Sequence, residues 1–352
     1  LIRRRGVAVR RVEVPVWPWS LACADPGPRD YVLTGFRWPG GAAGELTVRD
    51  GHVAALGGDR PPGLAVVDLA GAFVAPAVVD SHVHLVYLPR ASDLLDGGVT
   101  AVVDLAAPLD RRPRGDGLAV AWSGPMITGV RGYPTTSWGS DGYGVEVADP
   151  AAARAAARRH LEAGARVLKV PVARDGLPDD AVRAVVAEAH AAGVKVVAHA
   201  LSAADADRAA ALGVDGLAHT PVERLSEAGV AAWRGKLVVS TLAAFGGGAD
   251  PVDNLRRLRA AGAVVLYGTD FGNTRTAGVD PEELRLLRAA GLDGAAILEA
   301  ATATPARVWG FADKGALAPG AAADFLVLDA DPSRDPSTLA RPQRVFHAGA
   351  ER

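Results

Sequence analysis

From residue 73 onward the chain repeats one unit: a short Val/Leu/Ala run, then an Ala/Arg/Leu stretch with helical spacing. Parallel strands need a crossover between them, and a helix is the usual one, so this alternation predicts a parallel sheet flanked by helices. The apolar runs fall at 73–85, 99–105, 118–127, 166–172, 195–200, 216–220, 237–242 and 263–271. Helical stretches at 149–163, 178–192, 203–212, 222–234 and 252–261 separate most of them, and two more, 281–290 and 293–309, follow. Eight such units fit the α/β class and a (β/α)8 TIM barrel over 73–311. Residues 31–72 and 312–352 read instead as short strands between Gly- and Pro-rich turns. These end segments are expected to pair into one small β-sandwich domain, with the barrel inserted between its halves. Residues 1–30 remain as an N-terminal extension.

A barrel of this kind presents its chemistry from the carboxyl ends of its strands. Of eight histidines, four fall there: His82, His84, His199 and His219. His82 and His84 alternate on one strand, so they point the same way and are spaced to share a cation; two ordinary strand-end histidines are the plainer reading. His199 and His219 each end a short apolar strand, where a lone imidazole is either a hydrogen-bonded core group or a ligand. Lys169, between Leu168 and Val170, has the parity of the barrel interior. A lysine there either snorkels out of the top or needs a partner or a change of charge state. Asp270 ends the eighth run and reads as a turn or cap residue, or as a carboxylate placed beside the first strand. Each plain reading is respectable alone. Five strands each placing a capable group on one rim favour a shared site, and imidazole plus carboxylate is the donor chemistry of zinc and related divalent ions. The segment 131–148, rich in Gly, Ser and Tyr, is the expected functional loop. Arg131, Tyr133 and Tyr143 on it read as substrate contacts or as loop packing, and Thr220 and Thr241 as weaker candidates.

Composition excludes several alternatives. A single cysteine, Cys23, rules out an internal disulfide framework or a Cys-rich metal site. The formal net charge of −2 and the absence of a basic stripe argue against nucleic acid as a partner. No apolar run reaches the length of a transmembrane span. Within 1–30, Arg3, Arg4 and Arg5 with Leu21-Ala22-Cys23 resemble an export signal with a lipoprotein cleavage site. Arg10, Arg11, Glu13, Pro15 and Pro18 interrupt it, so an irregular extension or a displaced start is the alternative. The compartment stays open on the sequence, with the cytoplasm favoured over export through Cys23.

Taken together, Asp80-Ser81-His82-Val83-His84, Lys169, His199, His219 and Asp270 resemble the amidohydrolase superfamily of metal-dependent hydrolases, closest to its imidazolonepropionase- and prolidase-like branches. The resemblance covers residues 31–352, including Ala301–Arg307 as a helix after the barrel and Ala323–Asp329 as a returning strand. Pro76-Ala77 replaces the family's usual Pro-Gly before the first strand. The resemblance implies two divalent metal ions, zinc the first choice, bridged by N6-carboxylated Lys169. It places His82, His84 and Asp270 on one metal and His199 and His219 on the other. It implies Asp270 as the catalytic acid/base, and hydrolysis of an amide or other C–N bond in a small molecule. An Xaa-Pro-type dipeptidase using the same site, and a catalytically silent barrel serving as a binding or assembly protein, are the competing readings. A homo-oligomer is compatible with all of them.

Overall fold

The computed structural model describes residues 30–352; the basic start of the chain and Cys23 lie outside the described residues. Both ends of the described chain contribute to one eight-stranded mixed sheet. Tyr31–Arg37, Ala43–Arg49 and His52–Leu56 form an antiparallel meander, and Ala65–Asp68 and Phe73–Pro76 add to Tyr31–Arg37 in parallel. Phe325–Leu328 then pairs antiparallel with Phe73–Pro76 and carries Arg344–His347 and Ala350–Glu351 beyond it. Tyr31, Leu33, Phe36, Leu46, Val74, Phe325 and Phe346 supply a separate apolar core for this sheet.

The apolar run 73–85 is two strands rather than one. Phe73–Pro76 belongs to the terminal sheet, and Val78–Val83 opens a parallel one. The partner changes at Pro76, which has no N–H to give, so that Ala77 bonds Asp324 and Val78 already bonds Gly98. The run 118–127 is also broken, into Ala119–Trp122 and Met126–Gly129, by the left-handed Gly124 and by Pro125. The stretch 293–309 forms two helices, Gly294–Ala301 and Ala303–Trp309, because the Pro305 ring is incompatible with a continuous helix through the carbonyl of Ala301. Only Glu227–Ala232 of the stretch 222–234 is helical; Ser226 caps it and fixes its start.

Two parallel sheets carry most of the remaining strands. One contains Val78–Val83, Val99–Asp104 and Ala119–Trp122. The other runs Val167–Pro171, Lys195–His199, Gly216–Leu217, Leu237–Val239, Val264–Leu266. Met126–Gly129 and Gly144–Val147 form a parallel pair of their own. Strand parity sorts the side chains into two apolar layers. Leu168, Val170, Val196, Ala198, Val238 and Val265 pack toward the helices. Val79, Ala101, Val103, Val167, Val197, Val239 and Leu266, drawn from both sheets, form a second layer on the opposite side. Hydrogen bonds also join the sheet edges. Arg166 N–H bonds Trp122 O at one edge, and Ser81 and His84 bond Tyr267 and Phe271 at the other. Among the described residues no helix is long and apolar enough to cross a membrane.

A buried ion-pair network anchors the terminal sheet. Lys314 Nζ donates to Asp324 Oδ2 at 2.7 Å, His347 Nδ1 lies 3.1 Å from Asp324 Oδ1, and the Ala348 N–H donates to the same oxygen at 2.7 Å. Burial pushes the Asp324 carboxyl up, but His347, Lys314 and Ala348 outweigh it and bring it down to about 2. A depressed carboxyl stabilises the fold above its unfolded pKa of about 3.9, and that contribution disappears as pH falls toward the folded value. Asp324→Asn leaves Lys314 with only a 3.7 Å contact to the exposed Asp313 and is expected to cost up to about 3 kcal/mol in urea unfolding at pH 7. The gap to wild type should shrink between pH 4 and 2; a constant gap would show that the charge is not what matters.

Candidate metal centre

Six side chains from five strand ends meet in one buried cluster. His82 lies within Val78–Val83 and His84 just beyond it; Lys169 lies in Val167–Pro171 and His199 ends Lys195–His199. His219 and Asp270 follow Gly216–Leu217 and Val264–Leu266. None is more than 9% exposed, and Lys169 and His82 are wholly buried. Lys169 shares the parity of Val167 and is opposite Val197, on the side of the inner apolar layer.

His82, His84 and Asp270 form the tightest group, with one donor atom from each within 4.8 Å of the others. Asp270 Oδ1 is 3.0 Å from His84 Nε2 and 3.4 Å from His82 Nε2, and the two Nε2 atoms are 3.3 Å apart. The His82 ring orientation can be read directly. Its Nδ1–H donates to the carbonyl of Ala218 at 2.9 Å, and a carbonyl can only accept. Burial, then the Lys169 charge, hold this imidazole well below its ordinary pKa. A neutral ring protonated on Nδ1 has a bare Nε2. That lone pair faces a carboxylate oxygen, an arrangement that favours a cation between them. The donor set and its burial therefore fit a divalent ion.

Asp270 is held below the usual carboxylate range. Burial raises it, but His82, His84 and Lys169 together outweigh burial. Its backbone is left-handed, with φ of 56°, a conformation Asp tolerates better than most residues. Its N–H bonds His82 O, and Asn273 Nδ2 donates to Oδ1 at 3.2 Å. Behind it, Asp80 accepts from the Thr269 hydroxyl at 2.5 Å and from the N–H groups of Thr269 and His82. The first and last strands are thus tied directly beneath the donors. Burial lowers Lys169 to about 7, with Asp270 the one counteracting charge. Its Nζ is 3.5 Å from His82 Nε2.

His199 and His219 stand beside the triad rather than inside it. The His219 ring centre is 4.6 Å from that of His82 and 5.0 Å from that of His199. Burial, then Lys169, lowers His199 to about 3; burial, then His82, holds His219 well below its ordinary value. Thr241 Oγ1 is 3.0 Å from His219 Nδ1, whereas Thr220 turns away and donates to Ser240 O. Tyr133 stacks on His199 with ring centres 4.4 Å apart. Tyr143 lies one layer out, against Trp138, and its hydroxyl donates to Val86 O. Arg131 is exposed, with a left-handed backbone, and makes no contact with the cluster among the described residues.

Sequence reasoning missed three neighbours. Trp138 packs 4.9 Å from His84, Phe245 packs 4.9 Å from His219, and Asp104 anchors the turn after His84 by accepting from the N–H groups of Leu85, Val86 and Ala106. Asp104 carried a usable signal, a carboxylate at a strand end like Asp270. Trp138 lies in the segment expected to be functional. Phe245, in a short turn, carried none.

Buried imidazoles and a carboxylate at parallel-strand ends define an α/β protein built to hold a cation. The sequence model of the amidohydrolase family matches residues 73–350, and the chain belongs to that family. It is 28% identical over 298 residues to an adenine deaminase of Deinococcus deserti, covering 81% of this chain and 53% of that one. The chain thus spans about half the length of that relative. An imidazolonepropionase of the same organism is also 28% identical, over 82% of this chain and 86% of its own. Among solved structures, a proposed prolidase from Bifidobacterium longum superposes with a TM-score of 0.78 at 25% identity, over 92% of this chain and 94% of that one. An Xaa-Pro dipeptidase with bound methionine gives 0.77 at 18% identity, over 92% and 99%, a likeness of fold.

Proposed function

We propose that this chain is a metal-dependent hydrolase that cleaves an amide or other C–N bond of a small molecule. The observation that carries the reading is the bare His82 Nε2 set against Asp270 Oδ1 and His84 Nε2 in a buried site. The two parallel sheets, joined at both edges, are read as one (β/α)8 barrel over 77–311. The terminal sheet is read as a composite β-sandwich domain of 31–76 and 312–352.

His82, His84 and Asp270 would hold one divalent ion. His199, His219 and carboxylated Lys169 would complete a binuclear site, with zinc suited to this donor set. Bound there, such ions supply a nucleophilic water at neutral pH and polarise a carbonyl. The protein's own part is proton management. The contacts to Asp270 described above use Oδ1, which leaves Oδ2 to accept a proton from the attacking water and return it to the departing nitrogen. The second strand-end pair is kept neutral by burial, so both rings retain a lone pair for coordination.

A dipeptidase is the second reading, favoured by likeness to the prolidase and Xaa-Pro dipeptidase folds. Two measurements test the proposal: cations retained per chain, and turnover across dipeptides, N-acyl amino acids and small lactams. Retained zinc with cleavage of any one class supports hydrolysis. A chain that binds no divalent ion after equilibration with zinc, and cleaves nothing, is not this enzyme.

A further inference from the structure

The cluster is roofed by aromatic rings, each set against a different imidazole. Trp138 lies 4.9 Å from His84, Tyr133 stacks at 4.4 Å on His199 with an interplanar angle of 25°, and Phe245 meets His219 edge-on at 4.9 Å. Trp138 and Tyr133 come from the loop between Met126–Gly129 and Gly144–Val147; Phe245 ends the turn Ala243–Phe245. Two open clefts of about 490 and 250 Å3 lie elsewhere, against the C-terminal helices, so neither is an approach to the cluster. A substrate seated on these imidazoles would lie beside the rings that pack against them.

The roof carries little polarity. The Trp138 indole N–H is already used, donating to Tyr133 Oη at 3.0 Å. Tyr133 therefore keeps its own proton as the free donor. Burial pushes its phenol up to about 12, so the group stays neutral. Of the guanidiniums near this loop, Arg131 is exposed, and Arg111 pairs with Asp141 and lies over Tyr143, one layer outside Tyr133 and Trp138. A free carboxylate pressed onto Trp138 and Tyr133 would lose water and gain no opposite charge from the wall, while Asp270 and Asp175, whose charges both act on the Tyr133 phenol, would repel it. A flat neutral group loses little and gains offset or edge-to-face ring contacts.

We propose that Trp138 and Tyr133 form a specificity wall that selects a neutral, planar, unsaturated group next to the scissile C–N bond, in preference to substrates with a free carboxylate. This deepens the hydrolase reading and rests on it for the bond that breaks. Water adds oxygen to the carbonyl carbon, the C–N bond opens, and the nitrogen leaves with a proton. The wall itself is a matter of binding and can be measured without turnover.

The experiment is a set of equilibrium titrations of the zinc-loaded full chain with acetanilide, dihydrouracil, N-acetylglycine and glycyl-proline, beside turnover of the same four. The neutral planar amides should bind at least about tenfold more tightly than the two charged probes. Trp138→Ala and Trp138→Leu should both lose that preference while retaining wild-type zinc. The leucine variant keeps an apolar side chain in the loop, so a fold defect cannot mimic the result. Tyr133→Phe keeps the ring and should keep the preference, weakening all four probes together through the lost hydroxyl. Tight planar binding without cleavage of any probe would leave the wall standing, because the preference is read from binding, and would remove these four amides from the substrates of the hydrolase reading. Equal or tighter binding of glycyl-proline, or an unchanged preference in both Trp138 variants, would overturn the wall, and glycyl-proline cleavage would then favour the dipeptidase.

Discussion

Replacing Asp270 with Asn should lower turnover about 100-fold or more while leaving bound metal near the wild-type amount. The two effects separate because they use different oxygens. Oδ1 is the atom that faces His84 and His82 and accepts from Asn273. An asparagine can keep its single carbonyl oxygen in that place. Its NH2 then occupies the Oδ2 position, and an amide nitrogen cannot take a proton from water. The backbone asks little extra of the variant, since Asn tolerates φ of 56° as readily as Asp. Metal content and single-turnover rates on one preparation would decide the matter. Near-wild-type turnover would remove Asp270 from proton transfer, and metal loss in parallel with activity would reduce it to a ligand.

The parts of the fold legible in the sequence were those written in local periodicity. Val167-Leu168-Lys169-Val170 announces a strand buried on both faces, and the same parity that puts Leu168 against the helices puts Lys169 on the inner side. Where the sequence reading failed, the cause was a single residue changing a hydrogen-bond partner. Pro76 hands the chain from one sheet to another without interrupting the apolar run, and Pro305 splits a helix whose apolar pattern is continuous. At the site, His82, His84, His199, His219 and Asp270 stood out because ionisable groups at apolar strand ends are chemically conspicuous. Of the aromatic roof Tyr133 was among the loop candidates, but Trp138 and Phe245 are ordinary loop residues until the fold sets them 4.9 Å from an imidazole. Asp80 lay in plain view beside His82, yet its bonds to Thr269 span 189 residues of sequence, a pairing no local pattern encodes.

Lys169 yields the other large effect. An ordinary lysine, with a pKa of about 10.4, is neutral in roughly one molecule in 2,500 at pH 7. Burial brings Lys169 to about 7, so a substantial share of the amines is neutral there. Only a neutral amine has the lone pair that attacks CO2; the new N–C bond would form, that neutral amine would release one proton to solvent, and the product would be an anionic ligand, two protons fewer than the ammonium plus CO2. Protein stripped of metal and CO2 should therefore take up less zinc in bicarbonate-free buffer than with bicarbonate present. At a fixed concentration of dissolved CO2, carboxylation should rise as pH increases through about 7, because the neutral amine is the species above its pKa. Lys169→Ala should lose bound metal and at least about 100-fold in turnover. Lys169→Met should lose the same, although its flexible thioether fills most of the buried volume, so the loss cannot be assigned to a cavity. If instead both variants keep full metal and full activity, Lys169 is a buried amine held for packing alone, and the second cation has no bridging ligand on this chain.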